Sequence, residues 1–439
     1  MKVLNRTKIL SGMTKKLFKS ITDKYGNGIL SLAANFIQKA AFLIVTILLA
    51  RLFGPNLFGK YAFLKQAYDV LIVFILFGGD KSLIYFSAIN KSDGLNKLLS
   101  VVKFAIILVT VFFLGSIFIR DTLLESYDLS YNLFFLLIFA STLLMNLILT
   151  FIESYFIGIK SLKTYFKSVI ISALFYLPLS YFFGYKFGIT GVFLAFLVHY
   201  IIQFFYIYFK EGQAFNKRGI NEIKNDLKQL YTFSFPIGIG ELLVILVAFY
   251  TSIILIKNAD FEELGLYNVA MRMVMFIVFI PNLLNNILLS YLSISSNKEK
   301  FLLKTVLLNL ILSGLVGLVF YIFSKQIFSI VGGYFEENLD EVFLNLILGI
   351  LPFCSSLVLL QYLISIQKRW SYLFFRFLRE GLTIGIFSFY ISLNFEGNAI
   401  LLSKCFLFSN YISLILLTLF ITINYFYERK KDQINSSKL

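Results

Sequence analysis

Histidine is nearly absent from this chain. His199 is the only one among 439 residues, which also hold two cysteines, one tryptophan and five prolines. Cys354 and Cys405 both lie inside apolar runs, so neither a disulfide framework nor a metal site is implied, and no His/Cys/carboxylate cluster exists to hold a metal. Charge is also scarce, at 15% of residues, where soluble domains carry about 25%. No glycine-rich phosphate loop and no metal-binding aspartate cluster occurs, and the longest connection expected outside the membrane, about 324–341, has four acids, one lysine and no histidine. A membrane-embedded polymerase, ligase or glycosyltransferase would need acid–base groups on a substantial loop, so the expectation is no enzyme, no catalytic residues, no metal and no cofactor. The net charge of +16 would suit nucleic acid in a soluble protein; in a chain this apolar it serves orientation and contact with anionic lipid.

Apolar residues are abundant, at 59%, and are spread along the whole length. A helix needs about 20 apolar residues to cross about 30 Å of hydrocarbon. Runs of that kind predict spans at roughly 29–50, 61–79, 98–119, 132–157, 165–183, 189–209, 231–256, 267–293, 301–323, 342–363, 372–392 and 399–426. Continuous runs, not alternating ones, exclude a barrel. Residues 1–27 are basic and lack an apolar core of signal-peptide length, so the run from about Ile29 reads as a retained helix.

Connecting segments test this count. With the N-terminus inside, the segments expected to be cytoplasmic hold 29 Lys/Arg and the outer ones 6, while Asp121, Glu125, Asp128, Asp260, Glu262, Glu263, Glu336, Glu337, Asp340 and Glu341 make the outer ones acidic. Basic residues stay on the side where they are made, so both termini are expected in the cytoplasm. The longest polar connection, 211–230, divides a half of six spans at 1–210 from a second half at 231–439. Weak similarity links them at an offset of 206–209: Phe58-Gly59-Lys60-Tyr61 matches Leu264-Gly265-Leu266-Tyr267, and Gly188 matches Gly397. Six is even, so the halves are expected to be parallel repeats about the membrane normal, as in many secondary transporters.

The stretch Ala50-Arg51-Leu52-Phe53-Gly54-Pro55-Asn56-Leu57-Phe58-Gly59-Lys60-Tyr61-Ala62 resembles the first outer turn of the polysaccharide-biosynthesis (O-antigen) flippase family, where an A-R-x-x-G-P-x-x-[FY]-G-x-Y-A pattern follows span 1. Phe233-Ser234-Phe235-Pro236 and Leu264-Gly265-Leu266-Tyr267-Asn268-Val269-Ala270-Met271-Arg272 resemble its second half. In the turn motif, Gly54-Pro55 breaks the helix, Gly59 allows close approach, and Tyr61, Gly265 and Tyr267 complete the repeated pattern. The resemblance implies the fold of the multidrug/oligosaccharidyl-lipid/polysaccharide exporter (MATE/MOP-like) superfamily, with all-α spans in two six-helix bundles. It also implies a bacterial inner-membrane protein that turns an undecaprenyl-pyrophosphate-linked oligosaccharide from the cytoplasmic to the periplasmic leaflet. Membrane lipids, a polysaccharide polymerase and a chain-length regulator would be further partners, and nucleic acid would not.

Charges within spans supply the candidate sites, since a charge at a span centre costs about 2.5–3.5 kcal/mol on insertion scales and usually faces a partner or a wet cavity. Lys103, Glu153 and Glu380 lie near an inner end, where they can snorkel. Lys39, Asp69 and Glu241 lie far from either boundary. For the substrate that the resemblance implies, Lys39, Arg272 and Lys404 are expected to offset the diphosphate charge. Asp69, Glu241 and His199 are the candidates to couple H+ or Na+. Pro236, Gly238 and Gly240 predict a kinked or unwound helix beside Glu241. Two rival readings are a multidrug-type cation antiporter of the same fold, whose cavity should be acidic, and a structural membrane protein, which needs no midplane charge.

Overall fold

A computed structural model describes residues 2–125, 133–159, 161–211, 223–294, 298–331, 336–366 and 368–436. Every regular element among them is a helix: α1 Lys2–Leu76, α2 Gly79–Ile89, α3 Lys91–Glu125, α4 Leu133–Gly158, α5 Lys163–Glu211, α6 Ile223–Asn258, α7 Phe261–Ile294, α8 Lys298–Ile322, α9 Ser324–Val331, α10 Glu336–Ser365, α11 Arg369–Ser392 and α12 Ala399–Ser436. Helix is the solution lipid imposes, because backbone N–H and C=O groups find no water there and must pair within the segment.

Eight helical stretches among the described residues are long and apolar enough to cross a membrane. Two of them, 36–76 and 163–211, are too long for one pass; the second contains two of the expected spans and the first the greater part of two. The chain turns inside α1 at Gly54 (φ 67°, ψ 175°), directly before Pro55, and inside α5 at Gly188 (φ 58°, ψ −140°). Helices α7 and α11 hold the two remaining expected spans. The protein is an all-α integral membrane protein of about twelve spans.

One local detail adds to the sequence reading and another departs from it. Span 2 ends close to residue 79, with α1 stopping at Leu76, and beyond a break at Phe77 (φ 41°) and Gly78 (φ 72°) a further helix, α2, runs to Ile89. Span 7 is not unwound, since α6 runs unbroken from Ile223 to Asn258 with Pro236 inside it. Gly238 instead makes room for the neighbouring break, because a Cβ there would lie 2.5 Å from the Phe77 carbonyl oxygen.

The chain forms two compact units, one of residues 1–45 and 72–238 and the other of 46–71 and 239–439. In the first, the rings of Phe135, Phe139, Phe193 and Phe196 pack α4 on the second part of α5. The beginning of α6 joins the same unit: Tyr231 packs on Phe104 and its hydroxyl donates to the Ile75 carbonyl at 3.3 Å, and Phe233 stacks on Tyr85 at 4.7 Å. In the second unit, Leu302, Val358, Leu363, Phe375 and Leu417 form a core shared by α8, α10, α11 and α12. Lipid tails are as apolar as these side chains, so close packing and hydrogen bonds hold such cores more than hydrophobic burial does. Leu303, Ile311, Phe389 and Ile423 are accordingly left exposed.

Candidate transport site

In the second unit, the Gly54–Tyr61 turn packs directly on the beginning of α7, and two glycines make the contact. A Cβ on Gly59 would overlap the Phe261 carbonyl, and one on Gly265 would overlap the Pro55 carbonyl. Each added Cβ would also lie 3.1 Å from the other glycine's amide nitrogen. Gly59 and Gly265 are equivalent at the 206-residue offset, and so are Pro55 and Phe261. Residue i meeting j' while j meets i' is the signature of a contact on a two-fold axis, here internal to one chain.

From this crossing, a line of polar side chains runs into the spans. Lys65 pairs with Asp69 one turn on, at 2.5 Å, and lies over the Tyr68 ring at 5.0 Å. Gln66 Nε2 donates to Asn268 Oδ1 at 3.1 Å, while Asn268 Nδ2 donates to the Leu264 carbonyl at 2.9 Å. Tyr61 is buried with Arg272 and Asp69 both within electrostatic reach. Arg272 itself is exposed. Thus Asp69 and Arg272, both expected from the sequence, share one cluster with Lys65, Gln66, Asn268 and Tyr61.

Outside the spans, the same corner is acidic. Glu263 accepts the Ala399 amide at 2.6 Å and so caps the start of α12. Burial raises its pKa above the ordinary carboxylate range, and Asp260, Glu262 and Glu396 push the same way against the capping bond.

Lys39 lies in the first unit, exposed on α1, and belongs to a different group of charges. Glu153 on α4 accepts the Tyr165 hydroxyl at 2.8 Å and lies in the field of Lys81, Asp80 and Lys39. Asp80 pairs with Lys81 at 2.7 Å. None of these partners was singled out from the sequence: Glu153 reads as a snorkelling end and Lys81 as a loop cation. The usable signal was the apolar run Leu83–Phe86 after Lys81, which continues the helix. A third group joins α3 to α6. Lys97, only 2% exposed, reaches Asp93 at 2.7 Å and Asp226 at 3.7 Å and sits over Phe86, and Ser100 donates to Asp226 at 2.8 Å.

The other expected residues are dispersed. Lys404 pairs with Glu341 at 2.8 Å, both about half exposed. Glu241 is part-buried on α6, in the second unit. His199 is buried in a cage of rings, with Tyr176 and Tyr200 at 5.2 Å and Phe42 at 6.3 Å. Tyr267 is part-buried on α7 with Glu380 in electrostatic reach, and Arg379 donates to Glu380 from two nitrogens, at 2.6 and 3.1 Å. Three or more His, Cys, Asp or Glu side chains placed to hold a metal do not occur among the described residues.

Comparison with known proteins places this geometry. The fold is similar to an inward-facing multidrug-resistance MATE transporter of the MOP superfamily, at 12% identity and TM-score 0.71, covering 90% of this chain and 96% of that one. It is similar to the lipid II flippase MurJ in an inward closed conformation, at 14% identity and TM-score 0.73, covering 90% and 87%. It is similar also to a MOP superfamily transporter from Pyrococcus furiosus, described as having a binding pocket of reversed polarity, at 13% identity and TM-score 0.64, covering 90% and 94%. No curated protein matches the sequence. The profile of the family described as polysaccharide biosynthesis protein matches residues 25–293, more than half of the chain, and the protein belongs to that family.

Proposed function

We propose that this protein is a lipid-linked oligosaccharide flippase that moves an undecaprenyl-pyrophosphate-linked repeat unit from the cytoplasmic to the periplasmic leaflet of a bacterial inner membrane. In this reading both termini are cytoplasmic, residues 1–210 and 231–439 supply the moving parts of an alternating-access cycle, and H+ or Na+ drives it. A polysaccharide polymerase and a chain-length regulator take up the product. One observation carries the reading: basic side chains at span depth sit beside carboxylates they could exchange for a diphosphate. Lys65 rests on Asp69, Arg272 and Asp69 are both within electrostatic reach of Tyr61, and Lys39 lies in the field of Glu153. A pyrophosphate and several sugars cannot enter hydrocarbon unshielded, and ionised phosphate oxygens bind ammonium and guanidinium groups strongly.

The MATE-like fold favours a second reading, extrusion of organic cations. The purified protein in liposomes separates the two. The flippase reading expects lipid-linked oligosaccharide, loaded in one leaflet, to become reachable from the other, with no accumulation of cationic dyes. Dye movement without glycolipid movement overturns it. Lys39→Ala, Arg272→Ala and Lys404→Ala should each insert normally and fail to restore glycan export in a deletion strain. Full export by all three removes the site assignment and leaves the family intact.

A further inference from the structure

Asp80 stands out among the buried groups. It is 8% exposed, its Oδ2 accepts Lys81, and its Oδ1 is buried with no hydrogen-bond partner among the described residues. A buried carboxylate oxygen left without a donor is costly and calls for a ligand that the protein alone does not supply. A second carboxylate lies alongside. Gly79 packs on the Phe151 ring, and Gly158 packs on the backbone of Ile84 and Ala88, so α2 and α4 run side by side with Asp80 level with Glu153. Both belong to the first compact unit.

We propose that Asp80 and Glu153 form the binding site of the coupling monovalent cation, a proton or Na+, in place of Asp69, Glu241 and His199. The inference rests on the transporter reading above and supplies its ion. Several elements contribute charged and polar groups around the pair. Lys81 and Asp80 act on Glu153 from α2 and Lys39 from α1, while Tyr165 donates to it from the first part of α5. Gln203 and Tyr200, from the second part of α5, act on Tyr165 in turn. Among the described residues, two lysines face these two carboxylates. A diphosphate that draws Lys39 and Lys81 away leaves two like charges close together in a poorly solvated setting, and a small cation relieves them. Cation and anionic headgroup are thereby linked, each tightening the other, because coupling between two sites is reciprocal.

The test measures cation binding directly on the purified full chain in detergent, with no glycan, so it can fail while glycolipid flipping succeeds, and the reverse. The probes are radioactive Na+ at fixed pH and proton uptake by an unbuffered sample stepped from about pH 8 to about pH 6. Asp80→Asn and Glu153→Gln keep shape and remove charge. Each should weaken Na+ binding by about tenfold or more if the ion is Na+, or take up about one proton fewer per chain than wild type if it is H+. Lys81→Gln removes the competing cation and should tighten Na+ binding or raise proton uptake over the same step. A merely structural role would not produce this opposite sign. The proposal is overturned if neither wild type nor Lys81→Gln binds either ion in that range, if Asp80→Asn and Glu153→Gln both bind as wild type does, or if Lys81→Gln weakens binding along with them.

Discussion

A buried charge in this protein is stabilising only while its partner is there. Lys97 is almost fully enclosed, and Asp226, Asp93 and the Phe86 ring are what surround it. Asp226→Asn keeps the shape and an acceptor for Ser100 but leaves Lys97 dependent on the more exposed Asp93. Breaking one arm of such a network should cost about 2 kcal/mol, read as a lower unfolding midpoint in detergent. Adding Lys97→Met should recover most of that loss, because the uncompensated charge is then gone. An unchanged midpoint in Asp226→Asn would show that Asp93 alone carries Lys97. Glu263 offers the opposite case. Its pKa is raised in the fold, so the native state binds more protons than the unfolded chain between the ordinary carboxylate value and the raised one. Over that window stability falls as pH rises. Glu263→Gln keeps an oxygen for the Ala399 amide and cannot ionise, so its unfolding midpoint should vary less with pH there than that of wild type. Equal slopes would mean that Asp260, Glu262 and Glu396 dominate the corner.

At the scale of elements, the glycines divide sharply into those held by a neighbour and those that are not. Gly265→Ala sets a methyl group on the Pro55 carbonyl, which is backbone and cannot rotate away. The cost should be about 1–3 kcal/mol of stability, or an equivalent opening of the contact. Gly385→Ala on α11, with nothing within 4 Å, should be neutral or stabilising by up to about 1 kcal/mol. Parallel thermal unfolding of the two variants checks this, and equal effects would refute the packing argument. The same glycines mark what the sequence could disclose. Long apolar runs made the spans legible, because lipid leaves the backbone one solution. The 206-residue offset made the equivalence of Gly59 and Gly265 legible, but a repeat identifies equivalent residues without locating the axis, so their mutual contact was not. Pro236, Gly238 and Gly240 read as a weakness of their own helix, whereas Gly238 answers to the Phe77 carbonyl of another. Asp80, Lys81 and Glu153 were passed over for a similar reason. Depth along one helix can be counted in residues, but which face meets which neighbour depends on interhelical register. Asp69 and Arg272 could be named because both are charges whose position within a span can be counted along one helix.

For the whole molecule, the significant fact is that neither compact unit coincides with a sequence half. The first takes residues up to 238 from the second half, and the second takes 46–71 from the first. The borrowed segment 46–71 holds a polar contact that joins the halves, Gln66 with Asn268 beyond the Gly59–Gly265 crossing, and Ser100 and Lys97 tie Asp226 of the 211–230 connection to the first half. Alternating access by the two halves is expected to open these contacts at some stage, since each restrains the movement of the segments it joins. Cysteine pairs at 66/268 and at 100/226 test this directly. Cys354 and Cys405 are buried and would first be replaced by alanine. Linking either pair with a short, reductant-cleavable bis-thiol reagent should stop glycolipid flipping in liposomes, and reductant should restore it. Two distinct blocks, one at each contact, are expected, because each would hold the cycle at a different point: lipid-linked substrate should still bind in one locked form and be lost from the other. Undiminished flipping in both cross-linked proteins would mean that the contacts persist through transport and that the moving boundary lies elsewhere in the chain.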